Sequence, residues 1–140
     1  MKIKEIMRRP VFIHQDASKK DLLALAKKNK NALIFIIADE NKRFLGDIHE
    51  NDLFLMLLPN ESYEDIGVEL AFDLEKKFFA VSAKELMRKH DITCYEDEKL
   101  MDVALRLAGA EVNEMPVLNK KEEVVGVITE GLLLRHLKIK

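Results

Sequence analysis

The stretch Val124–Leu137 reads VVGVITEGLLLRHL, and it closely repeats Phe44–Leu57, which reads FLGDIHENDLFLML. The two stretches lie 80 residues apart, and five of their fourteen aligned positions are identical. The identical pairs are Gly46/Gly126, Ile48/Ile128, Glu50/Glu130, Leu53/Leu133 and Leu57/Leu137. Similarity at a fixed offset indicates an internal repeat, and in a chain of 140 residues such a repeat decides the fold.

The similarity extends outward from these stretches in both directions. IKEIMRR matches AKELMRK, and FIIADENKRFLG matches MPVLNKKEEVVG, both at an offset of 80; between them VFIHQDASKKDLLALA pairs with ITCYEDEKLMDVALRLA at an offset of 81. The sequence therefore predicts a first repeat at residues 1–58, a partly helical linker at 59–82 and a second repeat at 83–140.

Each repeat follows the same predicted order of elements, β-α-β-β-α. A short helical turn leads in, an extended piece and a helix follow, and two strands flank a polar turn before the final helix. Apolar residues recur at helical spacing, as in Leu22 and Leu25 or Val103 and Leu107, and Ser18 is a predicted N-cap. One repeat would leave an apolar strand face uncovered, so we expect an α/β fold of two pseudo-symmetric repeats packed sheet to sheet.

The linker has its own pattern. Pro59 ends the preceding helix. Apolar residues then recur at spacings of three and four, which predicts a helix with one apolar stripe: Tyr63, Ile66, Leu70 and Leu74. This helix is either a packed connection or a docking element for a partner.

Composition favours a globular protein of the cytoplasm. The chain is 48% hydrophobic and 34% charged, with a net charge of −2 and scattered basic residues, so we expect no nucleic-acid partner. The single cysteine, Cys94, fits a reducing compartment. The opening MKIKEIMRRPVF lacks the apolar core of a signal peptide, and no apolar run approaches the roughly 20 residues that span a bilayer. We therefore expect no membrane partner.

Catalytic signatures do not emerge from the sequence. HEND, at His49–Asp52, lacks the second histidine of a zinc-binding H-E-x-x-H helix. The remaining histidines form no pair at ligand spacing: His14, His90 and His136. Five glycines in all argue against a glycine-rich phosphate loop. We expect a protein that is not an enzyme, binds no metal and requires no cofactor.

Several coupled features resemble the CBS domain. They are KEIM and KELM, the stretches MPVLNKKEEVVGVIT and FIIADENKRFLGDIH, and the two final helices. That family occurs as tandem pairs, called Bateman modules, and the resemblance covers almost the whole chain. It implies an α/β disk with a cleft between the repeats that binds AMP, ADP, ATP or S-adenosylmethionine. It also implies a sensor that regulates a separate effector protein, and a homodimer formed through helices.

The family pattern puts a Thr or Ser at the start of the final helix and an acid three residues later. A helix start offers unpaired N–H groups to a phosphate, the hydroxyl adds a further contact, and the acid accepts the ribose hydroxyls. Repeat 1 has His49 and then Asp52, so it carries the acid without the hydroxyl. Repeat 2 has Thr129 and then Leu132, so it carries the hydroxyl without the acid. A single asymmetric site built from the surviving groups would explain this divergence.

The other candidates complete the ligand-binding hypothesis. His49 is a predicted phosphate contact, Thr93 lies where the family often has a Thr beside the base, and apolar residues line a purine slot. The full candidate set is Ile13, His49, Asp52, Ile92, Thr93, Met115, Pro116 and Thr129. Each also has a purely structural interpretation, as a cap, a strand residue or core. The alternative function is accordingly a ligand-free scaffold for dimerisation or partner docking.

Overall fold

A computed structural model describes residues 1–63 and 72–139 of the chain. The fold is mixed α/β, as the sequence predicts. The helices are α1 Lys19–Lys28, α2 Glu50–Leu57, α3 Phe72–Phe78, α4 Ala83–Leu86, α5 Leu100–Ala110 and α6 Glu130–Leu134. The strands are β1 Ile34–Ala38, β2 Phe44–His49, β3 Cys94–Tyr95, β4 Glu114–Leu118 and β5 Val124–Thr129. Short 3-10 turns lie at Ile3–Glu5 and Asn60–Ser62.

The chain forms two compact units, and each draws on both halves of the sequence. Unit 1 comprises Met1–Pro10, Ala38–Leu45 and His90–Lys140, and unit 2 comprises Val11–Ile37 and Gly46–Lys89. The segment that leads into each repeat therefore belongs to the unit built mainly from the other repeat. Sequence repeats and compact units divide the chain differently at these two lead-in segments and at Ala38–Leu45, a segment of repeat 1 that belongs to unit 1.

Unit 1 is built on a three-stranded sheet in the order β3-β4-β5. β3 pairs with β4 in parallel, and β4 pairs with β5 antiparallel in a register that sets Met115 opposite Ile128. The lead-in segment of the first repeat pairs with the β5 edge of this sheet, because Arg8 and Val127 exchange backbone hydrogen bonds of 3.0 and 2.9 Å. The core contains the following buried residues: Ile3, Cys94, Leu100, Val103, Leu107, Met115, Val117, Ile128, Leu132 and Leu133.

Unit 2 contains most of the two strands of the β1–β2 hairpin, whose turn segment, Ala38–Leu45, belongs to unit 1. The extended piece predicted at VFIH is reduced to one parallel bridge, Phe12 with Ile36, because Pro10 has no N–H to donate and the chain already turns at His14–Ala17. On the other edge, Asp47 and Arg88 exchange backbone hydrogen bonds. The core contains the following buried residues: Ile13, Ala17, Leu22, Phe35, Ile37, Ile48, Leu53, Met56, Ala80, Ala83 and Leu86.

The glycine shared by the two copies is explained by close backbone contact in both units. A Cβ on Gly46 would lie 2.7 Å from the carbonyl oxygen of Arg88, and a Cβ on Gly126 would lie 2.5 Å from Sδ of Met7 and 3.1 Å from the carbonyl oxygen of Arg8. A Cβ at Gly46 would clash with backbone, whereas a Cβ at Gly126 would require the flexible Met7 side chain to move and the Arg8 carbonyl to shift slightly. The lead-in segments therefore select glycine at the equivalent position of both repeats.

Helix caps follow the sequence prediction closely. Ser18 Oγ accepts a hydrogen bond from Asp21 N at 3.3 Å, and the Asp21 carboxylate accepts one from Ser18 N at 3.1 Å, which confirms the predicted N-cap as a reciprocal capping box. This bonding, first from the backbone and then from the hydroxyl of Ser18, lowers the pKa of Asp21. In the linker, Ile66 and Leu70 lie outside the described residues, so the apolar stripe stays a prediction.

Candidate functional site

Asp52 is completely buried, and its carboxylate accepts four hydrogen bonds inside unit 2. Arg88 donates through Nε to Oδ2 at 2.9 Å and through Nη2 to Oδ1 at 2.8 Å. Lys77 Nζ lies 2.9 Å from Oδ1, and the backbone N–H of His49 donates to Oδ2 at 3.0 Å. A carboxylate has about four acceptor positions, so all of them are engaged. A ribose hydroxyl could bind Asp52 only after one of these donors leaves.

The electrostatics of Asp52 follow from this bonding. Burial is the largest single influence on the carboxyl and acts to raise its pKa. Hydrogen bonds from Arg88 and Lys77 oppose burial and, with the bond from the His49 N–H, outweigh it, so the pKa of Asp52 is lowered. The group is ionised at neutral pH and held by two cations. It is therefore a poor general base and a strong anchor for those cations.

His49, the predicted phosphate contact, begins α2 and lies beside a second buried acid. Its Nε2 is 3.2 Å from Oδ1 of Asp47, whose side chain is fully buried, while the histidine side chain is 11% exposed. The structure thus brings His49 and Asp52 together at the start of α2. As a ligand contact, His49 stays a prediction.

Thr129 occupies the matching helix start in unit 1. Its Oγ1 accepts a hydrogen bond from the backbone N–H of Leu132 at 3.2 Å, so the predicted N-cap of α6 is confirmed. Thr129 is half-buried, and its hydroxyl keeps a hydrogen to donate. Leu132, which replaces the family acid, is buried in the core of unit 1. No carboxylate is therefore available at that position.

The other candidates of unit 1 lie on or beside its sheet. Met115 and Pro116 are consecutive buried residues of β4, and the Pro116 carbonyl accepts a weak hydrogen bond from Cys94 Sγ at 3.8 Å. Ile92 packs against the core. Thr93 is half-buried, and its carbonyl oxygen accepts a bond from Arg106 at 3.1 Å.

The structural interpretation holds for the most deeply buried of these candidates. Met115 is 0% exposed in unit 1, and Ile13 is 3% exposed in unit 2, where it packs with Phe35. Their side chains contribute to the two cores, and their assignment to a purine slot stays a prediction.

Arg88 and Lys77 are the side-chain partners of Asp52 that sequence reasoning missed. Arg88 had one available signal, because the echoed lead-ins MRR and MRK share an arginine after the methionine, at Arg8 and Arg88. Lys77 belongs to α3 in the linker and matches no repeat position. Neither residue stands at a local spacing that points to Asp52.

Within residues 1–63 and 72–139, no helix combines the length and apolarity needed to cross a bilayer. The same residues contain no cluster of three or more His, Cys, Asp or Glu side chains arranged to hold a metal ion.

Each of the two α/β repeats has a glycine in its second hairpin strand, β2 or β5, and that strand leads directly into the final helix. The chain is therefore a tandem pair of repeats. The CBS domain model matches the chain twice, at residues 3–58 and 83–139. The chain therefore belongs to the CBS domain family.

Known proteins resemble the chain over nearly its full length. The uncharacterised protein MJ1426 of Methanocaldococcus jannaschii is 23% identical over 153 residues, covering 98% of this chain and 91% of that protein. CBSX2, a CBS-pair protein of Arabidopsis thaliana, has been solved with AMP; it superposes with a TM-score of 0.76 at 17% identity, covering 96% of this chain and 94% of CBSX2.

A second solved structure shows the same fold. The CBS domain pair of protein MJ0100, in complex with 5′-methylthioadenosine and S-adenosyl-L-methionine, gives a TM-score of 0.73 at 23% identity, covering 96% of this chain and 94% of that one. These likenesses confirm the predicted fold class, a mixed α/β pair of CBS repeats.

Proposed function

We propose that this protein is a non-catalytic regulatory module that binds an adenosine-type ligand and signals its presence to a separate partner protein. The observation that carries the proposal is a polar group kept at the equivalent start of each final helix, Asp52 in α2 and Thr129 in α6. The fold supports it further, since relatives with this fold have been solved with AMP and with S-adenosylmethionine.

Thr129 is the group better prepared for a ligand. Its hydroxyl stands at the start of α6 and keeps a hydrogen to donate. Asp52 needs a preceding step, in which one of its donors leaves.

Signalling requires that the ligand favour one conformation of the module. A ligand shifts a conformational equilibrium only by the difference between its affinities for the two states. An effector protein that contacts one of these states would then sense the ligand. We further propose a cytoplasmic location, which the unpaired Cys94 thiol supports.

A thermal-shift panel tests the ligand. AMP, ADP, ATP, S-adenosylmethionine, NAD and GTP would each be added at about 1 mM, and a ligand at roughly 100-fold over its dissociation constant stabilises by about 2.7 kcal/mol. That is a rise of several degrees for a domain of this size. We expect a rise with one adenosine compound, and a smaller one for Thr129→Val. A flat panel would reject ligand sensing and favour the scaffold.

The alternative, a homodimerising scaffold, has an observation of its own. Unit 2 has an apolar groove of about 170 Å³ between α1 and α2, bordered by Phe54, and unit 1 has one of about 270 Å³ between α5 and α6, bordered by Leu134. These two residues are equivalent in the repeats, and they are 65% and 69% exposed. Large exposed apolar side chains at a groove are typical of protein interfaces.

Sedimentation velocity at micromolar concentration tests the dimer. We expect a dimer for the natural protein and a monomer for Phe54→Asp combined with Leu134→Asp. Val81→Asp is the matched control, because Val81 is 60% exposed and lines neither groove. A monomer of the natural protein would contradict the dimer without bearing on ligand binding.

A further inference from the structure

Unit 2 contains a cleft beside Asp52, and two of the cleft's lining residues, Lys77 and Arg88, bond that carboxylate. It has a volume of about 440 Å³ and lies between the end of α3 and the segment that starts at α4. Its lining residues are Lys76, Lys77, Glu85, Leu86, Met87, Arg88 and Lys89. None of them belongs to the helix starts at His49 or Thr129, and the cleft lies entirely within one compact unit.

The charge of this cleft has the opposite sign to that of the whole chain. Four of its seven lining residues are cationic, and one, Glu85, is anionic. Counting Asp52, which is bonded to two of the cations, four positive charges face two negative ones, so the local balance is +2. The net charge of the protein is −2. Cations concentrated in a concave surface produce a local positive potential that attracts anions.

The cations of the cleft are arranged in two ways. Arg88 and Lys77 are held by Asp52, so their positions are fixed before any ligand arrives. Lys76 and Lys89 are exposed, and within residues 1–63 and 72–139 neither forms an ion pair. Glu85 accepts a hydrogen bond from the backbone N–H of Val81 at 2.9 Å.

We propose that this cleft is a binding site for a small polyanion, a di- or triphosphate group that Lys76 and Lys89 contact over the fixed Lys77 and Arg88. The volume matches small-molecule sites, which usually fall between about 300 and 1,000 Å³. The lysines suit phosphate as point charges, and arginine suits it as a planar donor. The triphosphate can be free or part of a nucleotide, and the chemistry of recognition is the same in both.

The test uses the full chain and isothermal titration calorimetry. Tripolyphosphate, ATP and adenosine would be titrated separately at about 50 mM salt and again at about 300 mM. We expect tripolyphosphate to bind without any adenosine, and to bind more weakly at the higher salt. ATP would bind at least as tightly as tripolyphosphate.

Matched variants locate the site. Lys76→Gln and Lys89→Gln each remove a charge without touching Asp52, so both should fold. Each should weaken tripolyphosphate binding about five- to tenfold, which corresponds to about 1–1.4 kcal/mol. Lys84→Gln is the control, because Lys84 is exposed on α4 but does not line the cleft.

Two results would overturn the site, and they differ from failure of the proposed function. The first is the absence of tripolyphosphate binding at low salt. The second is an affinity that Lys76→Gln, Lys89→Gln and Lys84→Gln all leave unchanged. Adenosine binding without tripolyphosphate binding would reject the polyanion site and keep the adenosine sensor. Tripolyphosphate binding together with a flat thermal-shift response to AMP and S-adenosylmethionine would keep the site and reject the sensor.

Discussion

Arg88 donates two parallel hydrogen bonds, of 2.9 and 2.8 Å, to the two carboxylate oxygens of Asp52, a residue 36 positions earlier in the chain. The bond joins the lead-in of the second repeat to the final helix of the first, within unit 2. It also gives the polar difference between the repeats a physical meaning. The repeat that has the acid has an arginine and a lysine to neutralise it, whereas Leu132 at the equivalent position needs neither.

Replacing Asp52 tests this network. Asp52→Asn leaves Arg88 and Lys77 without their buried counter-ion, and removing one partner of a buried pair is strongly destabilising. Because both cations are partly exposed, we expect a loss of about 2–4 kcal/mol in the free energy of unfolding at pH 7, measured by denaturant titration. Asp16→Asn is the control: its side chain is 75% exposed, and the change should be under about 0.5 kcal/mol.

The contribution of Asp52 to the free energy of unfolding should depend on pH. The folded-state pKa of Asp52 is lowered, so its stabilisation is fully present above the unfolded-state pKa of about 3.9. That stabilisation disappears as the pH falls through the lower folded-state pKa. The difference between the natural protein and Asp52→Asn should therefore be constant from pH 5 to 7 and shrink below about pH 4. An equal difference at pH 3 and pH 7 would show that the ionised carboxylate does not stabilise the fold.

The shared glycines predict an order of stability. Gly46→Ala sets a Cβ 2.7 Å from a backbone oxygen, which cannot move alone, so we expect a loss of about 1–3 kcal/mol. Gly126→Ala meets mainly the flexible side chain of Met7 and should lose less. Gly109→Ala is the control, since it lies in α5 with open space around it and should gain about 0.5–1 kcal/mol. Thermal denaturation measures all three, and any other order contradicts the described packing.

Cys94 should resist thiol reagents in the folded protein. The residue is 0% exposed, and burial, with a smaller effect of Glu98, raises the pKa of its thiol to about 12. Only the thiolate reacts, so we expect almost no colour from a disulfide reagent at pH 8, and full reaction after unfolding in guanidinium. Tyr95→Cys combined with Cys94→Ala supplies an exposed thiol for comparison. Rapid labelling of native Cys94 would show that this part of the core opens readily.

Fragments of the chain test the composition of the units. Residues 1–58 form one sequence repeat but lack Ala83 and Leu86, which are buried in the core of unit 2. Residues 11–89 include the whole of that unit. We expect cooperative thermal unfolding by circular dichroism for the fragment 11–89 and a broad, uncooperative change for 1–58. Equal cooperativity of the two fragments would support the sequence repeats as the folding units.

Much of the fold follows from local pattern. Apolar spacing predicts α1 and α5, and the capping residues Ser18 and Thr129 do what their side chains favour at a helix start. These features depend on neighbouring residues only, so a single sequence contains enough information to predict them.

The remaining features depend on residues far apart in the chain. Nothing in the spacing of Asp52, Lys77 and Arg88 indicates that they meet, because the contact is made by tertiary packing. The lead-ins IKEIMRR and AKELMRK are so alike that similarity cannot tell which repeat each one covers. The predicted role of Asp52 as a ribose acceptor omitted these neighbours, and the structure shows its acceptor positions already engaged.

Each lead-in segment packs on the strand of the other repeat, and this arrangement constrains how such a chain can arise by gene duplication. Met7 and Arg8 cover the glycine of the second copy, and Met87 and Arg88 cover that of the first. In an ancestor with a single repeat, a lead-in segment could pack on the glycine of another repeat only if two molecules exchanged their lead-in segments, as in domain swapping. Fusion of two such genes turns an exchange between molecules into one within a molecule. After the fusion, a mutation in either lead-in acts on the opposite copy, so the two copies diverge as a pair.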